Sequence, residues 1–261
     1  MKRNGDQMPV KMIVTDLDRT LLHTDITVSD YTAEVLEFCQ KGGIKIVFAT
    51  ARPKNRVDIL PHMNLADAVV VNNGSSIYIK NNAIMRFGIP GPIVKSILET
   101  LCNYLPELHI SAEYSDIVYR NRPKEDGLWE GDVLIGFDDL PSLAAEKIVI
   151  HAGCNEYPFI QKMLPDDCYA QLCENRLILI MHKTASKWNA VRHIADYFGI
   201  STDYTAAFGD DYNDIEMIKN CGFGIAIANA LDIVKAEADE ICGSNDNDGL
   251  AHWLRERCLL E

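Results

Sequence analysis

Two aspartates one residue apart, Asp16 and Asp18, follow directly on an apolar, β-branched run (Val10, Met12, Ile13, Val14), with Thr20 just beyond. Acid after a hydrophobic run is also what a turn or helix cap requires, so its meaning depends on what else the chain brings to the same place. A second apolar run, from Ile44, ends at the hydroxyl of Thr50. Lys187 opens a helix-like segment behind Ser186, and a short run ending in Phe208-Gly209 delivers Asp210, Asp211, Asn213 and Asp214. Gathered at one edge, these carboxylates repel unless a cation binds them, and an all-oxygen set without His or Cys suits Mg²⁺. Asp210 and Asp214, four apart at a helix start, can face the same point. A threonine and a lysine beside carboxylate-bound Mg²⁺ supply the donors and charge that a phosphoryl group needs. The first turns after Thr50 and Lys187 add backbone N–H groups and helix dipoles.

The elements that must position these groups follow from hydrophobic pattern and punctuation. Continuous apolar runs at 10–14, 44–49 and 68–71 fit buried parallel strands. The third ends at Asn72-Asn73-Gly74. Ser29 or Asp30 caps a helix to about Lys41, ended by Gly42-Gly43, and Pro53 suits the first turn of a helix running to about His62. From Ser75 the grammar changes. A hairpin (77–79, 84–87), a Gly/Pro linker (88–92), helices at 93–104 and 155–164, and strands at 109–114, 117–121, 147–152, 169–173 and 177–181 suggest an inserted α+β module. It contains a polar loop at Pro123–Asp132. The α/β pattern resumes with a helix from Ser186 to about Phe198, strands at 204–209 and 224–228, a helix between them, and a last helix at 249–258. The expected organisation is therefore α/β: a Rossmann-like parallel-sheet core from residues 1–84 and 184–261, with an α+β cap domain at 85–183.

Bulk properties narrow the partners. The chain of 261 residues is 48% hydrophobic, enough for a core of ordinary size in one large or two unequal domains. A net charge of −13 argues against a broad grip on nucleic acid or anionic lipid and leaves a small anionic substrate held by a local cation. The charged start, Met1 to Gln7, has no apolar segment behind it, so no signal peptide is expected. Nothing approaches the roughly 18 apolar residues of a membrane span. The eight cysteines are scattered without a Cys-x-x-Cys, mostly among apolar neighbours as buried free thiols are, so a reducing, cytoplasmic setting is expected.

Asp16-Leu-Asp-Arg-Thr-Leu-Leu, Thr50 in Phe-Ala-Thr-Ala-Arg-Pro, Lys187 in Ser-Lys-Trp-Asn-Ala-Val, and Phe-Gly-Asp-Asp-Tyr-Asn-Asp resemble, in order and spacing, the four motifs of the haloacid dehalogenase-like superfamily. The large insertion between the second and third, and Asn73-Gly74 at a strand end, resemble its Cof-type branch, so the resemblance spans nearly the whole chain. It implies a Mg²⁺-dependent phosphatase acting on a small phosphorylated metabolite, with a sugar phosphate the best single expectation. By the same resemblance Asp16 attacks phosphorus, and Asp18 protonates the leaving alkoxide and then activates water. Thr50 and Lys187 hold phosphate oxygens. Mg²⁺ is held by Asp16, the backbone carbonyl of Asp18, Asp210 and, directly or through water, Asp214, while Asn213 orients Lys187 or the phosphate.

This chain departs from the family pattern at three places. Arg19, Ala51 and Trp188 stand where glycine is usual. Arg19 either crowds the turn, adds a cation near substrate or points outward; Arg52 either reaches substrate or forms a salt bridge at a helix start; Asn73 is a further candidate for substrate contact. Arg120, Arg122, Lys124, His151, Arg176 and His182 of the insertion include candidate selectors, and Tyr114, Tyr119 and Trp129 read as core or rim; none is assigned. Competing functions on the same residues are phosphotransfer to a second sugar, a phospho-receiver switch, and binding without turnover. Oligomeric state is not specified by the sequence.

Overall fold

The computed structural model describes residues 9–115, 117–123, 132–173 and 175–258. The start of the chain to Gln7, most of the polar loop after Pro123, and Lys124 and Trp129 lie outside the described residues. In chain order the elements begin with β1 (Met12–Thr15), α1 (Asp30–Lys41), β2 (Lys45–Ala49), α2 (Lys54–Val57), β3 (Ala68–Val71), β4 (Ser76–Ile79) and β5 (Asn82–Arg86). Then come α3 (Gly91–Tyr104), β6 (His109–Tyr114), β7 (Ile117–Arg120), β8 (Asp132–Leu134), β9 (Lys147–His151), α4 (Tyr157–Met163), β10 (Cys168–Cys173) and β11 (Leu177–His182). The chain closes with α5 (Lys187–Phe198), β12 (Thr205–Gly209), α6 (Ile215–Asn220), β13 (Phe223–Ala226), α7 (Asp232–Glu237), β14 (Glu240–Ile241) and α8 (Gly249–Cys258).

These elements divide into two compact units. One comprises Met1–Arg52, Arg56–Ile84 and Ser186–Glu261, and the other Pro53–Asn55 and Met85–Ala185. The first unit is built on a sheet of order β14-β13-β12-β1-β2-β3-β4-β5, parallel from β14 to β3 and antiparallel where β4 pairs with β3. β1 lies between β12 and β2, with Thr15 opposite Phe208 on one side and Phe48 on the other. All four of its residues are buried, as a strand covered on both faces must be. Ile13, Ile46, Phe48 and Phe208 form the core with Leu36 and Cys39 of α1 and Leu250, Trp253 and Leu254 of α8. The Trp253 ring meets Phe208 edge-on at 5.3 Å, an arrangement aromatic quadrupoles favour. The ends of α1 and α5 are set by side chains: Ser29 Oγ accepts from the Thr32 N–H and Ser186 Oγ from the Asn189 N–H.

The second unit carries its own six-stranded sheet, order β10-β11-β9-β6-β7-β8, antiparallel except for the β7–β8 pair. Its core joins Ile97, Leu98 and Leu101 of α3 to Ile110, Ile148, Ile150, Ile178 and Ile180 on the strands.

Several elements differ from the sequence expectation. The helix expected from Pro53 to about His62 is a single turn, α2. Pro61 has no N–H to donate to the Val57 carbonyl and disfavours helical backbone at Leu60, and that carbonyl instead accepts from the Leu60 N–H at 3.0 Å, so the helix gives way to turns and a short 3₁₀ segment at Met63–Leu65. α7, β8 and β14 were not expected; six, three and two residues long, they are too short to show a period. Of the eight cysteines only Cys39, Cys168 and Cys221 are buried, while Cys102 and Cys154 are exposed; all are free thiols. No helix among the described residues is long and apolar enough to cross a membrane.

Candidate active site

The parallel strands of the first unit all end at one edge, and the chemistry-bearing residues stand in the first positions beyond. Asp16 follows β1 and Asp210 follows β12, and the neighbouring strands hold them in register: the Asp16 N–H donates to the Phe208 carbonyl at 3.0 Å. Thr50 follows β2, and its N–H donates to the Val70 carbonyl at 2.9 Å. Carboxylate oxygens of Asp16, Asp210 and Asp214 lie within 4.8 Å of one another, all three buried.

Lys187, at 1% exposure one of the most enclosed side chains, points its Nζ between two of them, 2.6 Å from Asp16 Oδ1 and 2.6 Å from Asp214 Oδ1. Asp214 Oδ2 accepts from the backbone N–H groups of Asp210 and Asp211 at 3.0 and 3.1 Å. Asp210 Oδ1 accepts from Thr20 Oγ1 at 3.0 Å. The strand before Asp210 has to end in glycine: a Cβ on Gly209 would lie 2.4 Å from the Asp214 Cβ. Gly74, at φ +100°, likewise leaves room for the Ser186 carbonyl, which a Cβ would meet at 2.2 Å, and so lets β3 end against the start of α5.

One lysine faces three buried carboxylates, and the electrostatics record the imbalance. Burial pushes the Asp16 pKa well above the ordinary aspartate value; Lys187 opposes this, and the charges of Asp214 and Asp210 add to it. Burial, and next the charge of Asp214, push Asp210 up to about 6, against the Thr20 hydrogen bond and Lys187. Burial works against the charge on Lys187, but Asp16 and Asp214 together hold its pKa above the ordinary lysine value. A buried, all-oxygen group with surplus negative charge fits a hard divalent cation such as Mg²⁺, which takes carboxylate oxygens and keeps some of its water.

The remaining sequence candidates fall into three places. The Asp18 carboxylate is not part of the cluster; it is half exposed and gripped by Arg52, whose Nε lies 2.8 Å from Oδ2 and 3.1 Å from Oδ1 while its Nη2 meets Oδ1 at 2.5 Å. Hydrogen bonding to Asp18 raises the Arg52 pKa above its ordinary value. Arg52, just ahead of α2, thus forms a salt bridge to an acid 34 residues before it in sequence. Asn213 donates from Nδ2 to Asn73 Oδ1 at 2.7 Å, so these two pair with each other while the bonds of Lys187 go to the acids. Thr50 Oγ1 accepts from the Arg52 N–H at 3.1 Å.

Arg19 stands apart from all of these. Its φ of +60° and ψ of 13° place it in the left-handed region, which costs an L-residue roughly 1–2 kcal/mol. Two residues that sequence reasoning did not single out hold this corner. Asn229 Nδ2 donates to the Arg19 carbonyl at 2.8 Å, and the Leu231 N–H donates to the Asp210 carbonyl at 3.0 Å. Nothing in the local sequence marks either contact, because each joins segments that periodicity treats separately.

The family model described as haloacid dehalogenase-like hydrolase matches residues 13–254. The 5-amino-6-(5-phospho-D-ribitylamino)uracil phosphatase YitU of Bacillus subtilis is 28% identical over 94% of this chain and 96% of its own length. Among solved structures, the HAD subclass IIB sugar phosphatase BT4131 superposes with a TM-score of 0.82 at 24% identity, covering 96% of this chain and 100% of that one. BT1666 from Bacteroides thetaiotaomicron, a phosphatase of the same superfamily, gives 0.83 at 22% identity, covering 100% and 99%. At these identities the two structures speak for the fold.

Proposed function

We propose, since this chain belongs to the haloacid dehalogenase-like hydrolases and is a phosphatase-type enzyme of that family, that it is a Mg²⁺-dependent phosphatase hydrolysing a small phosphorylated metabolite, a sugar phosphate being the first class to test. The observation that carries this reading is the buried Asp16–Asp210–Asp214 group with Lys187 set against it. Phosphate monoesters are among the slowest compounds to hydrolyse unaided, and an anionic nucleophile meeting an anionic ester needs its charge neutralised first. Asp16, Asp210 and the Asp18 carbonyl would hold Mg²⁺, with Asp214 beside them. When bound, the ion offsets negative charge on the carboxylates and on the phosphoryl oxygens.

Asp16 is the nucleophile in this reading. One oxygen attacks phosphorus, the ester oxygen leaves, and an aspartyl phosphate forms. Lys187, within 2.6 Å of Asp16, favours the ionised carboxylate that burial disfavours. Lys187 and Thr50 bind the transferring oxygens. Asp18, outside the carboxylate group and accessible, hands a proton to the departing alkoxide and then takes one from the water that hydrolyses the aspartyl phosphate. Arg52 orients its carboxylate, and Asn73 with Asn213 braces the segment before Asp214. We read the inserted unit as the cap domain of this branch.

The test is phosphate release from a panel of phosphorylated sugars and cofactors, with Mg²⁺ and with a chelator. Release that depends on Mg²⁺ and is abolished by Asp16→Asn is expected. Full turnover by that variant, or transfer to an added sugar acceptor in place of release, would overturn the assignment.

A further inference from the structure

We propose that Arg19 is a substrate-selecting residue that binds a second anionic group, phosphate or carboxylate, on the alcohol portion of a phosphate monoester. This rests on the reading of the neighbouring Asp16 and Asp18 as the reacting pair.

The backbone at Arg19 requires a left-handed turn, which glycine adopts freely and arginine does not. The turn is held through the main chain: Asn229 Nδ2 donates to the Arg19 carbonyl, and Asn229 Oδ1 accepts from the Asn245 N–H at 3.1 Å. Asn245 Nδ2 in turn donates to the Leu22 carbonyl at 3.0 Å. None of these bonds uses the guanidinium. It is exposed, and it makes no hydrogen bond or ion pair among the described residues. The carboxylate next to it in sequence, Asp18, is already held through both its oxygens by Nε and Nη2 of Arg52. A strained backbone kept for a side chain that makes no hydrogen bond or ion pair among the described residues points to a use outside the fold.

The charge balance narrows that use. In the proposed reading Lys187 serves the acids and the transferring phosphoryl group, and Arg52 holds Asp18, so the cation left for a second anion is Arg19, one peptide away from Asp18. Consecutive Cα atoms are about 3.8 Å apart, so the long Arg19 side chain starts beside the acid that would protonate the leaving group. A substrate whose leaving alcohol bears another negative charge brings that charge to this neighbourhood. Guanidinium forks match phosphate and carboxylate oxygens with two parallel hydrogen bonds. One such contact to a charged group corresponds to about 10- to 100-fold in affinity.

The test is binding in an Asp16→Asn background with Mg²⁺, so that turnover does not consume the probe. A hexose bisphosphate, a phosphorylated hexonate and a hexose monophosphate are titrated calorimetrically into proteins carrying Arg19, Arg19→Gln, Arg19→Gly and Arg19→Lys. The preference for the doubly charged probes over the monophosphate should fall about 10- to 100-fold in the Gln and Gly variants and survive in part with Lys. The bisphosphate and hexonate arms tell which anion is favoured. An unchanged preference in the Gln and Gly variants, or no measurable binding of either doubly charged probe, overturns the proposal. Hydrolysis of p-nitrophenyl phosphate by the chain with Asp16 intact, against the Asp16→Asn chain, tests the underlying nucleophile separately; retained turnover there would remove that reading without touching the binding ratio.

Discussion

Asp210→Asn should stabilise the protein in the absence of divalent cations and abolish its stabilisation by Mg²⁺. Burial and the Asp214 charge raise the Asp210 pKa from the ordinary 3.8 to about 6. A carboxyl group whose pKa rises on folding favours the fold fully below its unfolded value, and that contribution is lost as pH rises through the folded value. The metal-free protein should therefore lose stability between about pH 4 and pH 7. That rise corresponds to roughly 3 kcal/mol, and relaxation around the ionised group reduces what is observed to about 1–3 kcal/mol. The amide keeps an oxygen for Thr20 Oγ1 and removes the charge, so the variant should melt about 4–8 °C higher at pH 7.5 in a chelator for a gain of about 2 kcal/mol. Near pH 4 the two proteins should converge. With Mg²⁺ at about 100 times its dissociation constant, the unmodified protein should gain about 2.7 kcal/mol and the variant little. The measurement is thermal or urea unfolding across that pH range, followed by intrinsic fluorescence, to which Trp253, packed on Phe208 of β12, contributes. A variant less stable than its parent at pH 7.5 without metal, or an unmodified protein whose melting ignores both pH and Mg²⁺, would refute the surplus-charge account.

Other substitutions probe the remaining contacts. Asp18→Asn should slow alkyl phosphates by about 10²–10⁴-fold and nitrophenyl phosphate much less, since a good leaving group needs no proton; equal losses would remove Asp18 as the acid. Arg52→Ala frees the Asp18 carboxylate and should lower kcat for alkyl esters about tenfold or more with a smaller change in KM, with partial recovery in Arg52→Lys, as steady-state kinetics would show. Arg19→Gly relieves about 1–2 kcal/mol of left-handed strain against about 0.4–1 kcal/mol of added unfolded-state entropy, so urea unfolding should show a net gain of about 0.5–1 kcal/mol. Gly209→Ala places a methyl 2.4 Å from the Asp214 Cβ and should cost about 1–3 kcal/mol as the carboxylate is displaced, with a matching drop in melting temperature.

The parts of this molecule legible in the sequence are those where one physical requirement dominates a continuous stretch. β1, β2, β3 and β12 are apolar because both faces of a parallel sheet are covered, and their ends show because polarity changes abruptly at Asp16, Thr50, Asn72 and Asp210. α1 and α5 show through serine caps and apolar faces. What was not legible depends on single contacts across long loops. Asn229 bonds a carbonyl 210 residues away, and no spacing rule selects one asparagine for that task. The Arg52–Asp18 fork is similar: the sequence allows Arg52 several partners, and only the adjacency of β1 and β2 decides among them. The α2 region failed for a local reason, since Pro61 outweighs the apolar pattern around it.

The same edge shows why stability and chemistry pull against each other here. Replacing Asp16 or Asp210 by a neutral isostere would leave Lys187 a better balance of charge, and the backbone bonds that explain Asp214 do not explain burying two more acids beside the same lysine. Gly209 is excluded from carrying even a methyl so that Asp214 can stand between Lys187 and the two N–H groups after β12. Arg19 is held in a conformation that glycine would occupy without strain. Three independent costs (surplus charge, a forced glycine and a left-handed arginine) fall within a few residues of two strand ends, and the backbone and Lys187 bonds of Asp214 offset only part of them. Costs of this kind concentrate where a ligand or a reaction recovers them, so the edge formed by β1 and β12 is where binding energy should be sought first, the proposed divalent cation answering the charge and the proposed anionic substrate the arginine.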